Sequence, residues 1–233
     1  MRTHLARLVF ALAFVSPAPA FGQTRTAAPP GTVTPTGAAA QVRREDWQRV
    51  PDIFAALGAK PGSRIADLGA GEGWLSVRLA RHVGASGRVF AVDISDGALG
   101  TLAEKLAKDS LRNVELVLAE EDDPRLPFGT LDGVVILNAY HEMPKRVPIL
   151  DGVKRALRPG GVLVIVDNAP VDSLVKMSRK EQTSHHALAL DYARDDLEAQ
   201  GFEIVSTDPK FVDRKMADHW QQQWLIVARR SAK

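Results

Sequence analysis

Three glycines at alternate positions, Gly69, Gly71 and Gly73, separate the apolar run Arg64-Ile65-Ala66-Asp67-Leu68 from an amphipathic stretch opening at Trp74. Glycine has no Cβ and tolerates positive φ, so such a turn brings bare backbone close to a ligand. A helix starting at Trp74 would aim its unpaired N–H groups at the same place. The acids around the turn narrow the choice of ligand. A dinucleotide pyrophosphate is read by G-x-G-x-x-G with few acids in the loop. Here the pattern is D-x-G-x-G-x-G, with Asp67 before it and Glu72 inside it. The next apolar run, Arg88-Val89-Phe90-Ala91-Val92, ends in Asp93, about 20 residues past the last glycine, where an acid suits a bidentate hydrogen bond to ribose hydroxyls. Three carboxylates repel a diphosphate but suit a ligand carrying an ammonium, a sulfonium and a ribose. S-adenosyl-L-methionine combines those groups.

A second cluster, Asn138-Ala139-Tyr140-His141-Glu142, follows the apolar run Gly133-Val134-Val135-Ile136-Leu137. His141 is the candidate base, because an imidazole titrates near neutrality; packing against the next helix is its structural alternative. Tyr140 is expected to line the pocket, and Glu142 to orient His141 or to favour a helix N-terminus. Among Glu120, Glu121, Asp122 and Asp123, most are expected to form a solvated acidic loop. His185 and His186 are adjacent, so on a helix they point to different sides and do not chelate one ion together. Trp220 and Trp224 read as core.

These residues need a frame. A helix is expected over 46–57, with Val50, Ile53, Phe54 and Leu57 on one face. Strands are expected over 64–68, 88–92, 114–119, 133–137 and 162–166, alternating with helices over 74–83, 98–108 and 144–157, the last with a proline in its first turn. Residues 184–200 read as mostly helix, and 202–207 and 220–228 as two closing strands. Short apolar strands alternating with helices give an α/β, doubly wound, mostly parallel sheet covered on both faces.

On the glycine loop, Asp93, Leu126-Pro127-Phe128, the run from Leu131 through Asn138 and the run from Leu157 through Asp167, the chain resembles the class I S-adenosylmethionine-dependent methyltransferases over residues 46–229. The resemblance implies a single domain with a seven-stranded Rossmann-like sheet of order 3-2-1-4-5-7-6, its last strand antiparallel. It implies that Asp67, Gly69, Ala70, Gly71 and Gly73 cradle the methionine portion of the donor. Asp93 with Ile94 would hold the ribose, Glu120 the adenine amino group, and Asn138 through His141 would border the transfer site. The chain is most similar to an exported bacterial subgroup with a Tyr-His pair after the fourth strand. The Asn-Pro-Pro-aromatic signature of enzymes that methylate planar amino groups is absent. Asp167-Asn168 is similar to the pair that binds magnesium in catechol-type O-methyltransferases, but their further Asp is replaced by Asn138, so no metal is expected. The resulting expectation is methyl transfer to a small-molecule acceptor. A non-catalytic adenosyl-binding module of the same fold is the alternative; a nicotinamide-dependent oxidoreductase fits the acid-flanked loop badly.

Of the 233 residues, 45% are hydrophobic and 25% charged, ordinary for a globular domain. Arg2 and Arg7, the apolar residues 8–15 and Ala18-Pro19-Ala20 read as a cleavable signal peptide over 1–20, too short in its apolar part for a spanning helix. Residues 21–41, rich in Pro, Ala, Thr and Gly, read as a disordered linker, leaving 42–233 as the domain. The expected location is periplasmic or secreted, with no stable membrane anchor after cleavage. Without Arg2 and Arg7 the 30 basic residues fall to 28, equal to the 28 acidic ones, and no basic stripe suggests a nucleic-acid partner. The chain has no cysteine, which excludes disulfides, a thiolate nucleophile and zinc–thiolate sites.

Overall fold

The computed structural model describes residues 44–215 and 220–231; the expected signal peptide and linker lie outside the described residues. Seven strands form one sheet of order β3-β2-β1-β4-β5-β7-β6. They are β1 (Arg64–Leu68), β2 (Arg88–Asp93), β3 (Val114–Leu118), β4 (Leu131–Leu137), β5 (Leu157–Asn168), β6 (Phe202–Lys215) and β7 (Trp220–Arg230). The first five pair in parallel, and β7 runs antiparallel between β5 and β6. This is the expected order and direction.

Two apolar layers explain why the central strands are nearly continuous hydrophobic runs. Ile65, Val89, Val135 and Val164 pack on one face beneath α1 (Val50–Ala56) and α2 (Trp74–Val83). Ala66, Phe90, Val134 and Leu163 pack on the other beneath α4 (Arg146–Ala156) and α6 (Leu190–Ala199). Leu102 and Leu106 of α3 (Asp96–Lys108) join Val77 of α2 and Ala91 of β2. Among the described residues no helix is long and apolar enough to cross a membrane.

Prolines account for two departures from expectation. The first helix is shorter than 46–57: a helical turn over 44–47 stops, Arg49 takes a left-handed conformation, and α1 restarts with Pro51 in its first turn. In a continuous helix Pro51 could not donate to the carbonyl of Trp47. Likewise Met143, ahead of Pro144, is extended, as the proline ring requires. The helix therefore starts at Arg146, and a 3₁₀ turn, Tyr140–Glu142, fills the gap.

The helix expected over 184–200 is two, α5 (Arg179–Ser184) and α6, separated by residues 185–189. A buried glutamine holds that interruption. Gln182 Nε2 donates to the carbonyls of Leu174, Val175 and Met177, while its Oε1 accepts from the Ala189 N–H.

Candidate active site

Strand order reverses between β1 and β4, so the connections after these strands diverge and leave a crevice at their carboxyl ends. The crevice has a volume of about 440 Å³ and is lined by Gly69, Gly71, Asp93, Ile94, Glu120, Glu121, Asn138, Ala139, Glu142 and Met143, among others. That size is in the range of small-molecule sites.

The first N–H groups of the glycine loop bond within the protein. The Gly69 and Ala70 N–H groups both donate to the Val92 carbonyl, and Gly71 N donates to Asp93 Oδ2 at 2.7 Å. The loop is thus laced to the end of β2. A Cβ on Gly69 would lie 2.5 Å from the Ala139 Cβ, and one on Gly73 2.1 Å from Leu102 Cδ1, whereas one on Gly71 would meet nothing within 4 Å. Gly69 lets the two crevice walls touch and Gly73 lets α2 and α3 pack. Gly71 presents open backbone to the crevice. Ala70 packs against the Leu102 cluster. Gly73 and Ala70 both pack against the Leu102 cluster and are not among the residues that line the crevice.

Of the three acids first read as ligand-facing, one is in the crevice. Asp93 lines it, with Oδ1 accepting from Ser95 N at 2.9 Å while Oδ2 holds Gly71. Asp67 is 2% exposed beneath the loop, where Oδ2 accepts from Ser76 Oγ at 2.6 Å. The Ser76 backbone also bonds to it, so Asp67 anchors the first turn of α2, whose flanking residue Gly73 supplies no side-chain cap. Burial pushes its carboxyl up to about 6, against the opposing pull of the Ser76 hydrogen bond. Glu72 turns outward to Lys105, 2.8 Å away. The ring of negative charge survives with other members: Glu120, Glu121 and Glu142 join Asp93. The Glu120 carboxylate pairs with Arg125 at 2.6 Å, and Ile94, 61% exposed, offers an apolar wall beside Asp93.

The other end of the crevice is assembled from side chains. Asp167, fully buried on β5, accepts from the His141 backbone N–H at 2.7 Å through Oδ2, and its Oδ1 lies 2.7 Å from His141 Nδ1. A carboxylate only accepts, so the proton sits on Nδ1, and in the neutral ring Nε2 keeps its lone pair. Burial opposes protonation of this ring, but the hydrogen bond and charge of Asp167, with Glu142 adding, outweigh it and raise the pKa above the ordinary imidazole value. Nε2 lies 3.6 Å from Glu142 Oε1, so His141 stands behind Glu142 rather than on the crevice wall.

Tyr140 does not line the pocket. It is fully buried, its hydroxyl donates to Asp196 Oδ2 at 2.9 Å on α6, and burial raises its pKa far out of the physiological range. The expected place of Tyr140 on the pocket wall is corrected to a buried tie, and Arg179 grips the same Asp196, fastening α5 to that point.

Sequence reasoning missed Gln223. It is fully buried on β7, its Nε2 donates to Asn138 Oδ1 at 2.5 Å and Asn168 Oδ1 at 3.2 Å, and its Oε1 accepts from Gln48 Nε2 at 2.7 Å. An amide in a strand flanked on both sides was the available signal. With these oxygens engaged, and both Asp167 oxygens facing His141, the catechol-type magnesium arrangement is not formed by Asn138, Asp167 and Asn168. His186 was also missed as a partner of this cluster: its Nδ1 lies 3.4 Å from Glu142 Oε1.

Residues 65–161 match the model of a family described as a methyltransferase domain. The arsenite methyltransferase of Halobacterium salinarum is 30% identical over 175 residues, covering 73% of this chain and 44% of that protein. A ubiquinone/menaquinone biosynthesis C-methyltransferase of Teredinibacter turnerae is 32% identical over 121 residues, 51% of this chain and 49% of that protein. The chain thus spans about half the length or less of these curated relatives. A SAM-dependent methyltransferase from Aquifex aeolicus superposes with a TM-score of 0.64 at 22% identity, over 82% of this chain and 97% of that one.

Proposed function

We propose that the chain is a class I S-adenosylmethionine-dependent methyltransferase, and that it moves the donor's methyl group to a small acceptor seated at the Asn138–Glu142 end of the crevice. The observation that carries this reading is Asp93. Its two oxygens each hold one backbone N–H of the surrounding loops and retain lone pairs toward the crevice, suited to a pair of ribose hydroxyls. Gly71 leaves the space a ligand needs, and the carboxylates of Asp93, Glu120, Glu121 and Glu142 favour a cationic one. S-adenosylmethionine, when bound, supplies a sulfonium methyl that an acceptor lone pair displaces in line. The chain's part is to hold and orient, to keep water out and to free the acceptor's lone pair. Asn138 is fixed for this by Gln223, and Glu142 backed by His141 is the polar group nearest the acceptor.

The arsenite acceptor named for the Halobacterium salinarum relative does not transfer. Trivalent arsenic prefers thiolate ligands, and this chain has no cysteine to offer. An oxygen, nitrogen or carbon nucleophile suits the carboxylate and imidazole donors better.

Calorimetry with S-adenosylmethionine and S-adenosylhomocysteine, beside a methyl-transfer assay, tests the reading. Asp93→Ala is expected to weaken donor binding by about 1.5–3 kcal/mol, the scale of a lost hydrogen bond to a charged group, with the melting transition retained. Unchanged affinity would refute the ribose contact. Binding without transfer to any acceptor would favour the non-catalytic module. For location we infer export, on the basic, apolar and Ala-Pro-Ala segments of residues 1–20; N-terminal sequencing of the native protein should then begin after Ala20, and an intact Met1 would overturn it.

A further inference from the structure

His141, Glu142 and His186 bring three ligand atoms to one point at the rim of the crevice, all within 4.8 Å of one another. Glu142 Oε1 is the middle of the group, 3.6 Å from His141 Nε2 and 3.4 Å from His186 Nδ1. Bonds of ~2.0–2.2 Å to a shared ion would set neighbouring ligands about 3–3.5 Å apart. Small rotations of the exposed Glu142 and His186 side chains supply the difference.

We propose that this trio binds a divalent cation of the zinc, cobalt or nickel class. The site is built around a buried group. The His141 side chain is 3% exposed, and the fully buried Asp167 holds its Nδ1, which fixes the tautomer and aims the Nε2 lone pair at Glu142. A carboxylate behind a histidine is the outer-shell arrangement that orients metal-binding imidazoles and raises their basicity. His186 is held through its backbone, where Asn168 Nδ2 donates to its carbonyl at 3.1 Å and φ is 53°, a left-handed conformation; its Nδ1 lies 3.4 Å from Glu142 Oε1. At the end of β5, Asp167 therefore steadies the His141 imidazole and Asn168 the backbone that carries His186.

The donor set selects the ion. Two imidazole nitrogens and one carboxylate oxygen suit late first-row metals, whereas magnesium demands an octahedron of oxygens. Three protein ligands leave positions open, as in catalytic zinc sites. Glu142 lines the crevice, so an open position there would face the acceptor. An acceptor hydroxyl bound to the ion would lose its proton to solvent more readily and would keep an oxygen lone pair for the methyl group. The ion takes the Nε2 lone pair, and so replaces His141 itself as the group that readies the acceptor. This deepens the reading of the acceptor end, while the cation site stands apart from the donor's identity.

The test uses the untagged full chain, stripped with a chelator and titrated with Co²⁺ by visible absorption and with Zn²⁺ by calorimetry, in the absence of any donor. One ion per chain is expected. His186→Ala and Glu142→Gln, both exposed positions, should each lower the affinity at least ~10-fold, with far-ultraviolet dichroism and melting unchanged. His185→Ala, next in sequence but outside the cluster, should leave it unaltered. Absence of binding by the stripped wild-type chain, equal affinity in His186→Ala, or dependence on His185 would overturn the proposal. S-adenosylmethionine binding measured on the same stripped chain separates this outcome from failure of the methyltransferase reading.

Discussion

The two walls of the crevice are made in opposite ways. The wall proposed for the donor is local and largely backbone: Gly69, Ala70 and Gly71 sit within a few residues of one another and are laced to Val92 and Asp93 at the end of the neighbouring strand. The wall proposed for the acceptor is backed by side chains drawn from the whole chain: Gln48, Gln223, Asn138 and Asn168 are joined in one set of hydrogen bonds, and His141 and Asp167 in another. A wall of backbone tolerates side-chain variation at most positions. A wall of interlocked polar side chains does not, because each buried partner left alone keeps its desolvation cost.

The largest effect should come from the acceptor wall. Asp167→Ala strands the His141 ring and backbone N–H together, and is expected to cost about 3–5 kcal/mol, as for removal of one member of a buried polar pair. Urea unfolding would read this, and a loss comparable to a surface substitution would show that the wall is not interlocked. Next comes Asp67, beneath the donor wall. Its carboxyl lies near 3.8 when unfolded and is lifted to about 6 in the fold. Between those values the folded state holds more protons than the unfolded, so stability falls as pH rises through that window. The deficit is in place above it and amounts to about 3 kcal/mol. Asp67→Asn should flatten this slope in urea titrations from pH 4 to 8, relative to wild type; an unchanged slope would place the titrating group elsewhere.

The smallest contrast lies inside the donor wall. Gly73→Ala drives a methyl into Leu102 and should cost about 1–3 kcal/mol by overpacking. Gly71→Ala, with open space at its Cβ, should cost less in melting but more in donor affinity. If the two variants behave alike, the separation of packing from ligand approach is wrong.

The same contrast explains what the sequence disclosed. The limits of β1 and α2 fall where the apolar run and glycine punctuation put them, because both signals are short-range. Strand order came from resemblance, since periodicity carries no information about neighbours. Asp67 and Glu72 were read as ligand-facing because a motif gives positions along the chain and not the direction in which a side chain leaves it. Tyr140 failed for that reason too, its hydroxyl being drawn to Asp196 on a distant helix. Gln223 and His186 were missed because their meaning resides in partners far away in sequence.

Gln48 carries a practical consequence. It precedes the first full helix, yet it is fully buried and its amide closes the chain of bonds that ends on Asn138. Shortening the protein to Val50 would strip Gln223 Oε1 of its donor and slacken the floor under the transfer end while sparing every strand.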